Sequence, residues 1–215
     1  FRRLVSNYIR GYGGRSRFDS PGRQEDVHEF AVALLGMLME ETLPHSMLKD
    51  ELLGSHFVRK YSCNQAQCTY VDSVIENTIE TILSMEIGEE ANTLDDIYNH
   101  FIDAEEITRR CPSPGCSSPK SLRLTEISVF PKMLIIHLKR FELKASRYVK
   151  IHRQIHLPLQ WSPHLGIKYK LTGFIVHIGQ STNAGHYVSY RRDLSNENNF
   201  IFVNDQLQTT KTDAL

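Results

Sequence analysis

The 215-residue sequence predicts an α+β fold. Helical periodicity is concentrated near the start of the chain, and strand-like alternation fills most of the remainder. A continuous apolar run, Met133-Leu134-Ile135-Ile136, comes directly after Pro131. Helices first and strands later argue against repeated βαβ units.

Phe1, Leu4, Val5, Tyr8 and Ile9 keep the i, i+3, i+4 spacing and stop at Gly11, Gly13 and Gly14, which suits a helix and its C-terminus. A second stripe, Val27, Phe30, Ala31, Leu34 and Leu38, predicts a helix from about Gln24 to Glu41, ending before Pro44. Asp26 and Glu29 share one face of it. A short helix is expected over Thr93–Asp103, with Thr93 as N-cap, Asp96 in the capping-box place and Leu94, Ile97, Tyr98 and Phe101 inward. Strands are expected at Phe57–Ser62, Tyr70–Ile75, Thr78–Ile87, Met133–Ile136, Leu171–Ile178, His186–Arg192 and Phe200–Val203.

Composition narrows the function. Lys and Arg total 25, Asp and Glu total 25, and the formal net charge is zero, which argues against a general nucleic-acid or membrane-surface binder. The longest uncharged apolar run, Phe30–Met39, is half of a membrane span. The zero hides two opposed blocks. Residues 61–108 hold eleven Asp or Glu and no Lys or Arg, whereas residues 109–153 hold eleven Lys or Arg against Glu126 and Glu142. Either the two blocks pair with one another, or the acidic one recognises a basic macromolecule.

All four cysteines fall in two like units, Cys63-x4-Cys68 and Cys111-x4-Cys116. The absence of any Asn-x-Ser/Thr acceptor and the low cysteine density point to a reducing, intracellular setting, cytoplasmic or nuclear. Two such turns could set four thiolates around one structural Zn²⁺, with no open position for substrate. The alternative is four unligated core cysteines.

Among ten histidines, His186 stands apart because it opens a strand just after the small, polar loop Gln180–Gly185. A hairpin about Ser195 would set His186 opposite Asn204, beside Asp205. A histidine meeting such a partner forms the base-and-orienter pair of nucleophilic catalysis. His137 and His177 lie in apolar strands and are expected to be hydrogen-bonded there without a catalytic role.

Four segments then combine. Gln24-Glu25-Asp26-Val27-His28-Glu29-Phe30, the run Met133 to Phe141, Leu171 to Gly179, and Gly185-His186-Tyr187-Val188-Ser189-Tyr190 occur in order with a cysteine-pair ribbon between them. Together they resemble the ubiquitin-specific proteases, papain-like cysteine enzymes that cleave ubiquitin from its conjugates. The resemblance implies a partial helical thumb over 1–52, fingers with a zinc ribbon over 53–130 and a palm with the histidine box over 131–215. It implies His186 as general base, Asn204 as third triad member and Asp205 as its supporting neighbour. It also implies Cys63, Cys68, Cys111 and Cys116 as ribbon ligands, and Asp26, Glu29, Gly185 and Tyr187 against ubiquitin. The partner implied is ubiquitin or a ubiquitinated protein; the protein is expected to be a monomer that binds neither nucleic acid nor membrane.

One departure from the family pattern stands out. The nucleophilic cysteine of the resembled family lies in a box before the Gln24 helix, and the first cysteine here is Cys63. Without a thiolate no acyl-enzyme forms. The expectation is a hydrolase fragment, inactive alone, that lacks its upstream part. The alternative is a catalytically dead ubiquitin-binding module.

Overall fold

The computed structural model describes residues 26–41, 51–182, 184–204 and 208–211. The helix expected over Phe1–Ile9, and Asp205, lie outside them. The chain divides into two compact units, one of residues 1–41, 90–94 and 139–215 and the other of residues 42–89 and 95–138.

In the first unit, α1 (Val27–Glu41) begins where Asp26 can cap it. The Asp26 Oδ1 accepts hydrogen bonds from the His28 and Glu29 amides at 2.7 and 3.0 Å. Such a cap is worth about 1 kcal/mol. Met37 and Met39 are buried while Leu38 is exposed, so the last turn buries a different stripe from the expected one.

Strands β11 (Gly173–Ser181), β12 (Ala184–Arg192), β13 (Phe200–Val203) and β14 (Gln208–Lys211) form, in that order, the four-stranded antiparallel sheet that dominates this unit. Phe174 stacks on Tyr190 and tilts against the fully buried Phe200, which builds an aromatic layer on one face. The buried Arg192 donates to the carbonyls of Leu171, Glu197 and Leu159, and its guanidinium lies over the Phe200 ring. That supplies the acceptors such a buried cation needs. Among the described residues the unit also holds two hairpins, β7 (Phe141–Lys144) with β8 (Arg147–Lys150), and β9 (Gln160–Trp161) with β10 (Tyr169–Lys170).

The second unit contains a sheet built from β1 (Ser55–Cys63), β2 (Val71–Glu80), β4 (Glu105–Ile107) and β5 (Ser121–Val129), in the spatial order β2-β1-β5-β4. The strands expected at Tyr70–Ile75 and Thr78–Ile87 divide differently. β2 runs unbroken through Glu80, with a register irregularity opposite His56 and Val58, and β3 (Leu83–Glu86) pairs with β6 (Ile136–Lys139). Helix α2 (Leu94–Ile102) starts right after Thr93, with Asp95 and Asp96 in its first turn and Leu94, Ile97 and Tyr98 buried.

The apolar run at 133–136 is not the buried strand that its composition suggests. Met133 is exposed, its amide donates to the Leu52 carbonyl, and the Ile135 carbonyl accepts from Leu83. The strand itself begins at Ile136.

Candidate functional site

His186 and Asn204 come together as expected, but by a different register. β12 and β13 pair Arg192 with Phe200 and Ser189 with Val203, so the hairpin is centred on Asn196 and not on Ser195. The turn sets this register. The Asp193 amide donates to the Asn199 carbonyl, and the Asp193 carboxylate accepts from the Ser195 amide and hydroxyl. Those Ser195 bonds hold the Asp193 carboxyl below its usual range. Asn204 therefore stands diagonal to His186, a placement side chains can still bridge. The Nε2 of His186 lies 2.6 Å from the Asn204 Oδ1.

This distance sets the tautomer. A carbonyl oxygen only accepts, so Nε2 carries the proton toward Asn204, and in the neutral ring the lone pair is then on Nδ1. A neutral histidine so oriented offers a base at Nδ1. Asp205, expected to assist, is outside the described residues.

Around this pair, β12 is held from both sides. Tyr187 reaches the start of α1, and its phenol is pushed up by burial, opposed by a hydrogen bond with the Val27 backbone and reinforced by the Asp26 charge. Asp26 and Tyr187 thus meet at one place, while Glu29 lies exposed on α1. Gly185 lies under the His177 ring. A Cβ at Gly185 would come closer than 3.0 Å to the His177 Nε2 and to the Ile178 carbonyl oxygen, which is backbone and cannot step aside. Gly185→Ala is accordingly expected to pry β11 from β12 and destabilise the chain by about 2 kcal/mol or more, read by thermal melting and by loss of exchange protection at Ile178 and His186.

His177 is hydrogen-bonded, as its apolar strand suggested, through a residue that spacing and motif do not single out. The Lys150 ammonium donates to the His177 Nδ1 at 3.2 Å and to the carbonyls of His177 and Gly179 at 2.8 and 2.7 Å. Burial, and then the Lys150 charge, push His177 down, with Asp26 pulling weakly the other way. Burial, followed by the Arg140 charge, pushes Lys150 down. His137 is satisfied by the Ser84 hydroxyl at 3.2 Å.

In the second unit all four cysteine sulfurs lie within 4.8 Å of one another. Cys63 stands 3.6 Å from Cys116 and Cys68 3.7 Å from Cys111, and all four are free thiols. A disulfide would need about 2.05 Å. Zinc–sulfur bonds of about 2.3 Å in a tetrahedron place neighbouring sulfurs about 3.8 Å apart, so the donor set fits the ion.

Backbone amides favour the thiolate form that a metal would need. Each cysteine sulfur meets the backbone two residues on, Cys63 with Gln65, Cys68 with Tyr70, Cys111 with Ser113 and Cys116 with Ser118. Amides so placed favour thiolates. The Tyr70 contact brings Cys68 to about 7, whereas burial drives Cys111 to about 12.

The opposed charge blocks pair across this sheet. Arg109 meets Asp72 at 3.1 Å, while Lys120 meets Glu106 and Arg123 meets Glu105 between β5 and β4. Three acidic residues of the 61–108 block are thus engaged by the basic block next to it in the chain.

Comparison with known proteins agrees with these observations. The family model for ubiquitin carboxyl-terminal hydrolase matches residues 14–214. The chain is 31% identical over 186 residues to a probable ubiquitin carboxyl-terminal hydrolase 16 of Schizosaccharomyces pombe, covering 79% of this chain and 40% of that protein. It is 28% identical to ubiquitin carboxyl-terminal hydrolase 23 of Arabidopsis thaliana, covering 80% of this chain and 22% of the relative. It therefore spans less than half of either relative. Among solved structures, the SAGA Ubp8/Sgf11/Sus1/Sgf73 deubiquitinating module bound to ubiquitin aldehyde superposes with a TM-score of 0.75 at 18% identity, over 98% of this chain and 50% of that one. That likeness gives the fold, α+β and papain-like. With a family model matched across nearly its whole length, the chain belongs to the ubiquitin carboxyl-terminal hydrolase family.

Proposed function

We propose that this chain is the base-bearing, ubiquitin-recognising part of a thiol-dependent deubiquitinase. The observation that carries the reading is the 2.6 Å contact between the His186 Nε2 and the Asn204 Oδ1, in a chain of this family. The Nδ1 of His186 takes the proton of an attacking thiol and later returns it to the leaving amine, while Asn204 keeps the ring in the productive tautomer.

The thiol itself must come from outside these residues. All four cysteines of the chain belong to one cluster, and a thiolate committed to a metal is no free nucleophile. Cys63, Cys68, Cys111 and Cys116 would hold a structural zinc, which when bound ties two loops of the fingers together and supplies no chemistry to the hydrolysis. Residues 1–52, 53–130 and 131–215 would then serve as partial thumb, fingers and palm.

Asp26 and Glu29 recognise the arginine-containing tail of ubiquitin by charge-assisted hydrogen bonds. The partners are ubiquitin or a ubiquitinated protein, met inside the cell. Among the described residues the helix cap engages one Asp26 oxygen, Oδ1, and the second is the one that serves the ligand.

Ubiquitin titrated into the isotopically labelled 215-residue chain should shift Asp26, Glu29, Gly185 and Tyr187 saturably. The same chain should give no turnover of a fluorogenic ubiquitin conjugate and no adduct with a ubiquitin C-terminal electrophile. A folded chain that leaves ubiquitin unbound overturns the reading. Binding without labelling, once a cysteine box precedes residue 24, selects the non-catalytic module instead.

A further inference from the structure

We propose that Lys150 is a positioning residue for His186: its ammonium locks His177 and the end of β11 into the one arrangement that sets His186 in line with Asn204. The inference rests on His186 being the base. His186 sits beside an irregularity in its sheet. It pairs with Ile178 of β11, and the β11–β12 register slips just beyond, between Ile178 and Ser181. A ladder is locally disrupted at such an irregularity, so a further anchor there helps to fix the strand.

Lys150 anchors β11 at this irregularity. A single ammonium has three donors, and here they are accounted for by the His177 Nδ1, the His177 carbonyl and the Gly179 carbonyl, the last two flanking Ile178, which pairs with His186. Since an ammonium cannot accept, the His177 Nδ1 must, and His177 stays neutral with its proton on Nε2. The depressed proton affinities of both groups agree with that arrangement.

From His177 the constraint passes to the neighbouring strand. Its ring lies against the Tyr187 and Phe141 rings, with centroids 4.9 and 5.8 Å away, and its Nε2 edge covers the Cα of Gly185. Tyr187 and Gly185 are the two chain neighbours of His186. A rotation of His177 would therefore move both ends of the peptide that carries the base.

The test uses the 215-residue chain with labelled histidine nitrogens. In the wild type the His186 Nε2–H should be seen as one tautomer and exchange slowly. Lys150→Met is expected to move the His186 nitrogen shifts toward mixed-tautomer averages and to lose the slow Nε2–H signal, with Lys150→Arg restoring most of both. A destabilising change elsewhere in the same unit, Trp161→Phe, should leave the His186 signals in place. Unmoved His186 signals in a folded Lys150→Met, or equal movement in Trp161→Phe, overturn the proposal. Should Lys150→Met fail to fold, Lys150→Gln, which keeps two donors, gives an intermediate shift, and none would be equally fatal. If instead His186→Ala spares turnover in a cysteine-bearing enzyme while Lys150→Met still moves His186, the catalytic reading falls and the positioning role stands.

Discussion

In an enzyme that joins these residues to a cysteine nucleophile, His186→Ala is expected to lower hydrolysis of a ubiquitin C-terminal amide by about 10⁴-fold or more. The reason is visible in the hydrogen-bond direction. The Asn204 Oδ1 lies 2.6 Å from Nε2 and accepts its proton, so the neutral ring's basicity is presented at Nδ1, and alanine removes the group proposed to take the thiol proton. Substrate affinity should survive, because Asp26 and Glu29, the residues proposed to hold the ubiquitin tail, are untouched. Steady-state kcat and ubiquitin Kd measured on the same variant separate the two. Asn204→Ala should cost less in rate, since it frees the ring without deleting it. A His186→Ala enzyme within tenfold of wild type would remove His186 from the mechanism.

The second large effect is metal removal. The purified chain should carry one zinc per molecule by elemental analysis. A chelator, or Cys63→Ser, should unfold the ends of β1, β2 and β5 together with the loops at 64–70 and 112–120. Apparent zinc affinities of small four-ligand sites are about 10–16 kcal/mol at neutral pH, so the melting temperature should drop steeply and recover when zinc is returned. Equal melting with and without metal would dismiss the ion and leave four packed thiols. Cys63→Ser and Cys111→Ser should behave alike, because one ligand comes from each end of a shared set.

Parts of this molecule are plain in the sequence. Helix α2 announces itself through Thr93, two early aspartates and apolar residues at helical spacing, and the cysteine units lead straight to the cluster. The histidine pair is legible as a pairing of residues, though the register that produces it is not. Whether a hairpin centres on Ser195 or Asn196 is decided by which amides the Asp193 carboxylate captures, a competition that spacing alone does not reveal. The β7–β8 hairpin is hidden for a clearer reason. Its turn residues, Ala145 and Ser146, adopt φ of 46° and 65°, a conformation that turn chemistry assigns to Gly, Asn or Asp. With that turn unmarked, β8 goes unseen, and Lys150 with it. Net charge misleads in its own way: the zero is a sum over a pairing between neighbouring strands, and the strand β4 that makes the pairing is three residues long.

Lys150 also has a consequence for solubility. Among the described residues β11 is the outer strand of its sheet, and Ile175, Val176 and Ile178 along it are all exposed. A bare edge of that composition invites a strand from another molecule to add on. Here two of the carbonyls such a strand would need, those of His177 and Gly179, already receive the lysine ammonium. One cation thereby blunts the edge against self-association.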